Sequence, residues 1–405
     1  MKIIFLLFLF QSWARGVNCQ GSLVMIGGNL SEDNVDVWRR MVNLSSEEGE
    51  ARIGVITAAN PDPAYWAEYY VQLFQRYGAE AVWIPVSLED PHSPYSQDNV
   101  RMVQTCSGLF LGGGDPWRLA LALMEFNEEE GGRVDTPVLA AVKTRLKAGA
   151  MVAGTSAGIE ALSDSVIVTG GYSWEALTFG ASVASNGSDT RNLTYDPLGG
   201  LAVVNNILID AHFRAKARQG RLTRLLADTR TSERAMGVDE DTALVCDVRG
   251  DVCACEIVGS GGVWIVDSPV TCQETNSVWS CRDVNTSFLT QNDLLTLAPD
   301  YWSSSFADWK DEVLGGGEET PHTTEDIFGT GSNGDSGYEY DRVVNSLLLS
   351  GSNQTFGRTR ERHPRGYKLI FKKVPGKTEA AAYQPAGQQN FVLSYKYLFV
   401  DFTIM

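Results

Sequence analysis

The stretch MVAGTSAGIEALSDS, residues 151–165, decides how the chain is read. An apolar run, Ala148 to Ala153, passes straight into Gly154-Thr155-Ser156-Ala157-Gly158, and helix-forming residues follow. A strand that turns sharply into a helix around a serine set between small residues has the form of a nucleophile elbow. The glycines permit the turn and the close approach of neighbouring backbone, and the serine is held exposed at the strand end. The Ala157 amide and the start of the helix then face any oxyanion formed at Ser156. The bland reading is a tight strand–helix turn with a serine cap.

A serine of ordinary pKa needs a base. Four histidines are available: His92, His212, His322 and His363. His92 lies in the Pro/Ser-rich PHSPYS, His322 in an acidic stretch and His363 in a basic one. His212 alone follows a strand-like apolar segment, LAVVNNILIDAHF, and precedes a helical one, AKARQGRLTRLL. That is again the carboxyl end of a strand, where α/β sheets carry their sites. A core histidine satisfied by backbone is the plain alternative. The neighbouring Asp210, Arg214, Arg218 and Arg221 favour a functional position.

Strand-like segments at 22–28, 51–59, 79–86, 108–115 (running into glycines) and 149–154 alternate with helical ones. Several of the strands are continuously apolar, which predicts a parallel sheet covered on both faces. From about residue 235 the pattern becomes short strands joined by turns, which predicts antiparallel additions. Residues 314–339 are Gly-, Thr- and acid-rich and read as a long loop, and the last 65 or so residues read as strands.

The first residues, MKIIFLLFLFQSWARGVNCQ, place Lys2 before the apolar run Ile3 to Phe10 and a small-residue site at Val17-Asn18-Cys19. This is the pattern of a secretory signal peptide spanning 1–19, too short to cross a bilayer. Six Asn-x-Ser/Thr sequons, at Asn29, Asn43, Asn186, Asn192, Asn285 and Asn353, agree with secretion and glycosylation. Of seven cysteines, five fall between 246 and 281 with no histidine among them, which favours disulfides over zinc. In LVCDVRGDVCACEIV a hairpin tip at Arg249-Gly250 sets Cys246 opposite Cys253. The net charge of −17 disfavours nucleic acid and anionic membranes as partners and is compatible with a cationic substrate. Residues 356–377 run the other way, with eight Lys/Arg against one Glu; a polyanion patch and a processing site are open readings, and a solvated loop is the plain one.

Several spaced motifs then occur in order: GGGD (112–115), GTSAGIEALSDSVIVTGGYSWE (154–175), DAHFRAKARQGRLTRL (210–225), MGVDEDTALV (236–245) and GSGGVWIVD (259–267). Over residues 22–270 they resemble the cyanophycinase/aspartyl dipeptidase family of serine peptidases. The resemblance implies a doubly wound, mostly parallel α/β sheet similar to class I glutamine amidotransferases. Added antiparallel strands and a β-rich C-terminal extension over 271–405 complete the expected architecture. It implies Ser156 as nucleophile, His212 as base and Glu175 as triad acid, with the amides of Gly114 and Ala157 as oxyanion hole. It implies Asp115, Asp210, Lys216, Arg218 and Arg221 as substrate-binding residues. The implied substrate is a peptide, aspartyl, β-aspartyl or arginine-bearing, with no metal or organic cofactor and room for a homodimer. Two positions depart from the family pattern: Ala211 stands where a glutamine is usual, and Pro116 where a polar residue is usual. The extra chain between Glu175 and His212 suggests a rim or lid. Two rival readings are an α/β-hydrolase esterase drawing its base from His322 or His363, and a non-catalytic extracellular binding protein.

Overall fold

The computed structural model describes residues 21–46, 49–127, 132–185, 190–267, 271–317, 319–330, 338–385 and 391–405. The leader and Asn186 lie outside them. At its centre is a nine-stranded sheet. Five strands are parallel, in the order Ser22–Ile26, Met151–Thr155, Gly108–Leu111, Arg52–Ile56, Glu80–Trp83. Four more continue antiparallel from Ser22–Ile26: Thr242–Arg249, Val252–Gly259, Leu294–Leu297 and Trp302–Ser305.

Both faces of the parallel half are covered, and the alternation of strand side chains decides which residue serves which face. Val24, Ile26, Ile53, Val55, Phe110 and Met151 pack with Trp38, Met41 and Phe74 from the helices Val35–Leu44 and Pro63–Arg76. Leu23, Met25, Leu109, Leu111 and Val152 face Leu139, Val142 and Leu146 of the helix Pro137–Lys147. Each such fully buried side chain contributes about 1.5–3 kcal/mol relative to exposure. The two helices Pro63–Arg76 and Pro137–Lys147 begin with proline at the first turn, capped by Asp62 and Thr136.

A second sheet runs Leu208–Asp210, Arg234–Val238, Gly262–Asp267, Val278–Thr290, Val392–Ile404, Tyr367–Lys372, Gln354–Arg358. Only its first pair is parallel. It crosses the expected boundary at 270/271 without a break in strand order: Gly262–Asp267 pairs with Val278–Thr290, which pairs with Val392–Ile404. The C-terminal residues are therefore not only strands. Glu339–Leu349 is a helix with Val343, Val344, Leu347 and Leu348 buried, a helical spacing that the clustered Val and Leu residues disguise.

Two cross-strand disulfides join Cys246 to Cys255 and Cys272 to Cys281, each with Cα atoms 4.0 Å apart. The expected Cys246–Cys253 opposition does not form. Arg249 pairs with Val252, so the two-residue turn is Gly250-Asp251, with Gly250 at φ 62 in its first position. Glycine at that position suits the turn, and the register moves accordingly. Cys253 and Cys106 are free thiols among the described residues, each pushed up to about 11 by burial.

Of the sequons, Asn43 and Asn353 are exposed and Asn192 is half-buried. Asn285 donates its amide to Asp267 from within a strand. Asn29 is exposed at the rim of the cavity described next.

Candidate active site

The site forms where strand ends converge. Met151–Thr155 delivers Ser156, which adopts φ 53, ψ −119 before a single helical turn, Ala157–Glu160. A non-glycine residue at such angles is strained, and here the strain turns the side chain out of the sheet. Gly158 makes the elbow possible: a Cβ there would collide with the Leu111 carbonyl of the adjacent strand. Leu208–Asp210 delivers His212, and Arg234–Val238, its parallel neighbour, delivers Glu240.

Backbone bonds staple these ends to the first strand. His212 N–H donates to Gly27 O at 2.7 Å, and Asp241 N–H to Gly28 O at 2.9 Å. Gly28, at φ 99, lies so close under the imidazole that any Cβ would enter the ring.

Ser156 Oγ lies 2.7 Å from His212 Nε2, and His212 Nδ1 lies 2.7 Å from Glu240 Oε1. The carboxylate that meets the ring is Glu240, where the resemblance implied Glu175. Both ring nitrogens of His212 are engaged, by Ser156 and Glu240, and Glu175, on the helix Ser173–Phe179, is not the partner. The sequence signal for Glu240 was the acidic run Asp239-Glu240-Asp241 at a strand end, the same context that singled out His212. Burial holds the His212 pKa below the ordinary histidine value, helped by the positive Lys216 and Arg218 and opposed by Glu240. A lowered pKa favours the neutral imidazole, which can accept a proton.

Ser156 and His212 open into a cavity of about 810 Å³. Its lining includes the aromatic Trp66, Tyr69 and Tyr70 and the charged Lys216, Arg218 and Glu160. Val168, Thr169 and Gly170 also border it. The strand Ile167–Gly170 pairs with Thr194–Asp196, so the extra chain between Glu175 and His212 backs that wall. Gly113, Gly114 and Asp115 line the cavity beside Ser156. Asp115 caps the helix Pro116–Leu123 by accepting from Trp117 N–H at 2.8 Å. Pro116 lines the cavity, but Ala211 is fully buried and does not. His92, His322 and His363 are not among the residues lining the cavity, and His322 instead meets Glu339 at 3.1 Å.

The expected substrate-binding residues divide. Asp115, Lys216, Arg218 and Arg221 line the cavity. Asp210 does not: it is fully buried, and its oxygens accept from Arg221 Nε at 2.8 Å, Arg221 Nη2 at 2.6 Å and Arg218 Nη1 at 2.7 Å. The Arg221 guanidinium is thereby committed to structure, and its Nη1 donates to Gly171 O at 3.1 Å. Burial alone would raise the Asp210 pKa, but the two guanidinium groups overcome it and hold the carboxyl far below the usual range. Its neighbour Glu160 goes the other way, pushed up to about 7, chiefly by burial and against the pull of Arg218. Lys216 is exposed and has no ion-pair partner among the described residues; its pKa is lowered by partial burial and by Arg218. Among the described residues no cluster of His, Cys, Asp and Glu suits a metal, and no helix is long and apolar enough to cross a membrane.

No protein-family model matches the sequence. Individual relatives do. The chain is 30% identical over 258 residues to a cyanophycinase of Nostoc sp. (strain PCC 7120), covering 63% of this chain and 76% of that protein. It is 31% identical to a cyanophycinase of Trichormus variabilis over the same shares. A crystal structure of a peptidase from an acI-B1 Actinobacterium is 20% identical, with a TM-score of 0.49 over 68% of this chain and 97% of that one. Identity at this level, spread across three quarters of the relatives' length, makes this chain a member of the cyanophycinase family of serine peptidases.

Proposed function

We propose that the protein is a secreted, glycosylated exopeptidase that hydrolyses aspartyl or β-aspartyl peptide bonds with a Ser156–His212–Glu240 triad. The observation that carries this reading is the unbroken series of contacts at 2.7 Å from Ser156 Oγ through the imidazole to Glu240, at the base of an open cavity. His212 Nε2 takes the Ser156 proton as Oγ attacks the scissile carbonyl. Glu240 keeps the other ring proton on Nδ1 and balances the imidazolium. The amides of Gly114 and Ala157 receive the oxyanion. The imidazolium then protonates the leaving amine, and a water, activated by the same histidine, releases the acid product and restores Ser156.

Substrate class follows from the cavity wall. Arg218 and Arg221 already hold buried carboxylates, whereas Lys216 is uncommitted and suits the free carboxylate of an aspartyl residue. Asp115, which also lines the cavity, suits a cationic group such as an amino terminus or an arginine side chain. Secretion is supported by the leader-like N-terminus and by two disulfides.

The test is hydrolysis of a panel of α-aspartyl, β-aspartyl and non-acidic dipeptides by protein collected from a secreting host. Aspartyl substrates are expected to be cleaved, Ser156→Ala to abolish cleavage while preserving the fold, and Lys216→Ala to raise KM for acidic substrates. Hydrolysis by Ser156→Ala above about a hundredth of the parent rate would reject the nucleophile. A product retained in the cell with residues 1–19 attached would reject secretion.

A further inference from the structure

Asn29 stands directly after the first parallel strand and its glycine pair, with φ 43. Its Nδ2 donates to Glu240 Oε1 at 2.7 Å, the same oxygen that faces His212 Nδ1 at 2.7 Å. The Glu240 side chain is 29% exposed, and among the described residues no lysine or arginine pairs with it. A half-exposed carboxylate held by one imidazole contact alone can rotate and exchange its oxygens. A second donor on the same oxygen removes that freedom.

The backbone around Asn29 is itself fixed to the loop that carries Glu240. Gly28 O accepts from Asp241 N–H at 2.9 Å. Ser31 N–H and Asn34 Nδ2 both donate to Asp241 Oδ1, at 2.9 and 2.8 Å. Asparagine suits the position because it tolerates positive φ and carries a neutral donor on a short side chain.

Resting on the triad reading above, we propose that Asn29 is a positioning residue for Glu240, and that the active enzyme carries its amide unmodified. The second clause follows from the first. Asn29-Leu30-Ser31 is a glycosylation sequon, and the nitrogen that would carry the glycan is the one that holds Glu240. A sugar there would stand at the mouth of the cavity, which Asn29 lines.

The experiment compares full-length Asn29→Gly, Asn29→Asp and Glu240→Gln by steady-state kinetics on one cleaved aspartyl dipeptide from pH 5 to 9. Asn29→Gly keeps the backbone conformation and removes only the amide. It is expected to lower kcat by roughly tenfold to a hundredfold, the range by which partners that orient metal-bound residues matter, taken here by analogy, with KM within about twofold. Asn29→Asp keeps the shape and sets a second carboxylate against Glu240. It is expected to lose a similar factor at neutral pH and to move the acid limb of kcat/KM to higher pH, because added negative charge favours imidazolium. Peptide mapping of active protein from a glycosylating host is expected to find Asn29 bare.

Parent-like kcat in both Asn29 variants, beside a Glu240→Gln enzyme that has lost a hundredfold or more, would overturn this proposal and leave the triad standing. A loss confined to KM would also overturn it, since that marks a substrate contact. A fully active protein with Asn29 glycosylated would refute the second clause. A parent-like Glu240→Gln would instead reject the triad reading itself.

Discussion

Two carboxylates flank His212, and they could hardly be more different. Asp210 is two residues away in sequence, fully buried, with both oxygens occupied by guanidinium groups. Glu240 is 28 residues away, part-exposed, and touches the imidazole directly. A carboxylate saturated by two arginines is a strut, since its charge is already balanced and its geometry fixed. A carboxylate held only by an imidazole and a neutral amide is free to respond when the imidazole gains a proton. Proximity in sequence gave Asp210 its place beside the histidine, but accessibility and partner chemistry divide the roles.

Converting each acid to its amide separates the two roles. Glu240→Gln is expected to lower kcat by about 10³–10⁴, the scale of acid-to-amide changes in serine triads, with a melting temperature close to the parent's. Glu175→Gln, measured beside it, should stay within roughly a factor of two in kcat. The reverse ranking would return the triad acid to Glu175.

Asp210→Asn is expected to act on stability instead. Removing one partner of a buried ion pair costs about 3–5 kcal/mol, because two guanidinium groups lose their counter-charge. Denaturant unfolding should show that loss, and the fraction still folded should retain most of its kcat. A stable Asp210→Asn protein with a collapsed kcat would reverse the assignment.

Smaller again is the effect of Asp341. This residue, on the helix Glu339–Leu349, accepts from Arg214 Nη1 at 2.7 Å, and Arg214 also bonds Asp239, the residue before Glu240. Asp341→Asn should lower kcat by about threefold to tenfold, less than the roughly 10–100-fold lost when a partner that directly orients a metal-bound histidine is removed. An unchanged kcat would mean that the C-terminal helix does not steady the Glu240 loop.

The smallest effect is in pH dependence. The folded pKa of Glu160 lies above its unfolded value, so its contribution to stability is full below about 4.5 and fades as pH rises through about 7. The melting temperature of the parent should therefore fall over that window more than that of Glu160→Gln. The His212 pKa is depressed, so the acid limb of kcat/KM should lie below the ordinary histidine value of about 6.5. An acid limb above that value would contradict a neutral resting imidazole.

Much of this was legible in the residues. The elbow at Ser156 and the strand-end position of His212 are local patterns, and local patterns survive folding. The parallel core could be read because its strands are continuously apolar and its helices periodic. Glu240 was hidden because no local rule separates it from Asp239 and Asp241; only the direction each side chain takes at the strand end does. Asp210 misled because a charged residue beside a catalytic-looking histidine gives no sign of its own burial. The cysteine register turned on which two residues formed a turn, and a shift of one position changed the partner from Cys253 to Cys255. The path of 271–405 was illegible for a different reason: its central pairing joins segments more than a hundred residues apart, Val278–Thr290 with Val392–Ile404.

That last pairing sets an order of events during synthesis. The strand Val392–Ile404 lies between Val278–Thr290 and Tyr367–Lys372 and also receives Glu379–Tyr383. Ser156 leaves the ribosome long before it, and so do His212 and Glu240. Yet the sheet that presents both of them stays open along Val278–Thr290 until residue 404 has emerged. The nascent chain therefore holds all three groups while one edge of the sheet that presents His212 and Glu240 is still unpaired.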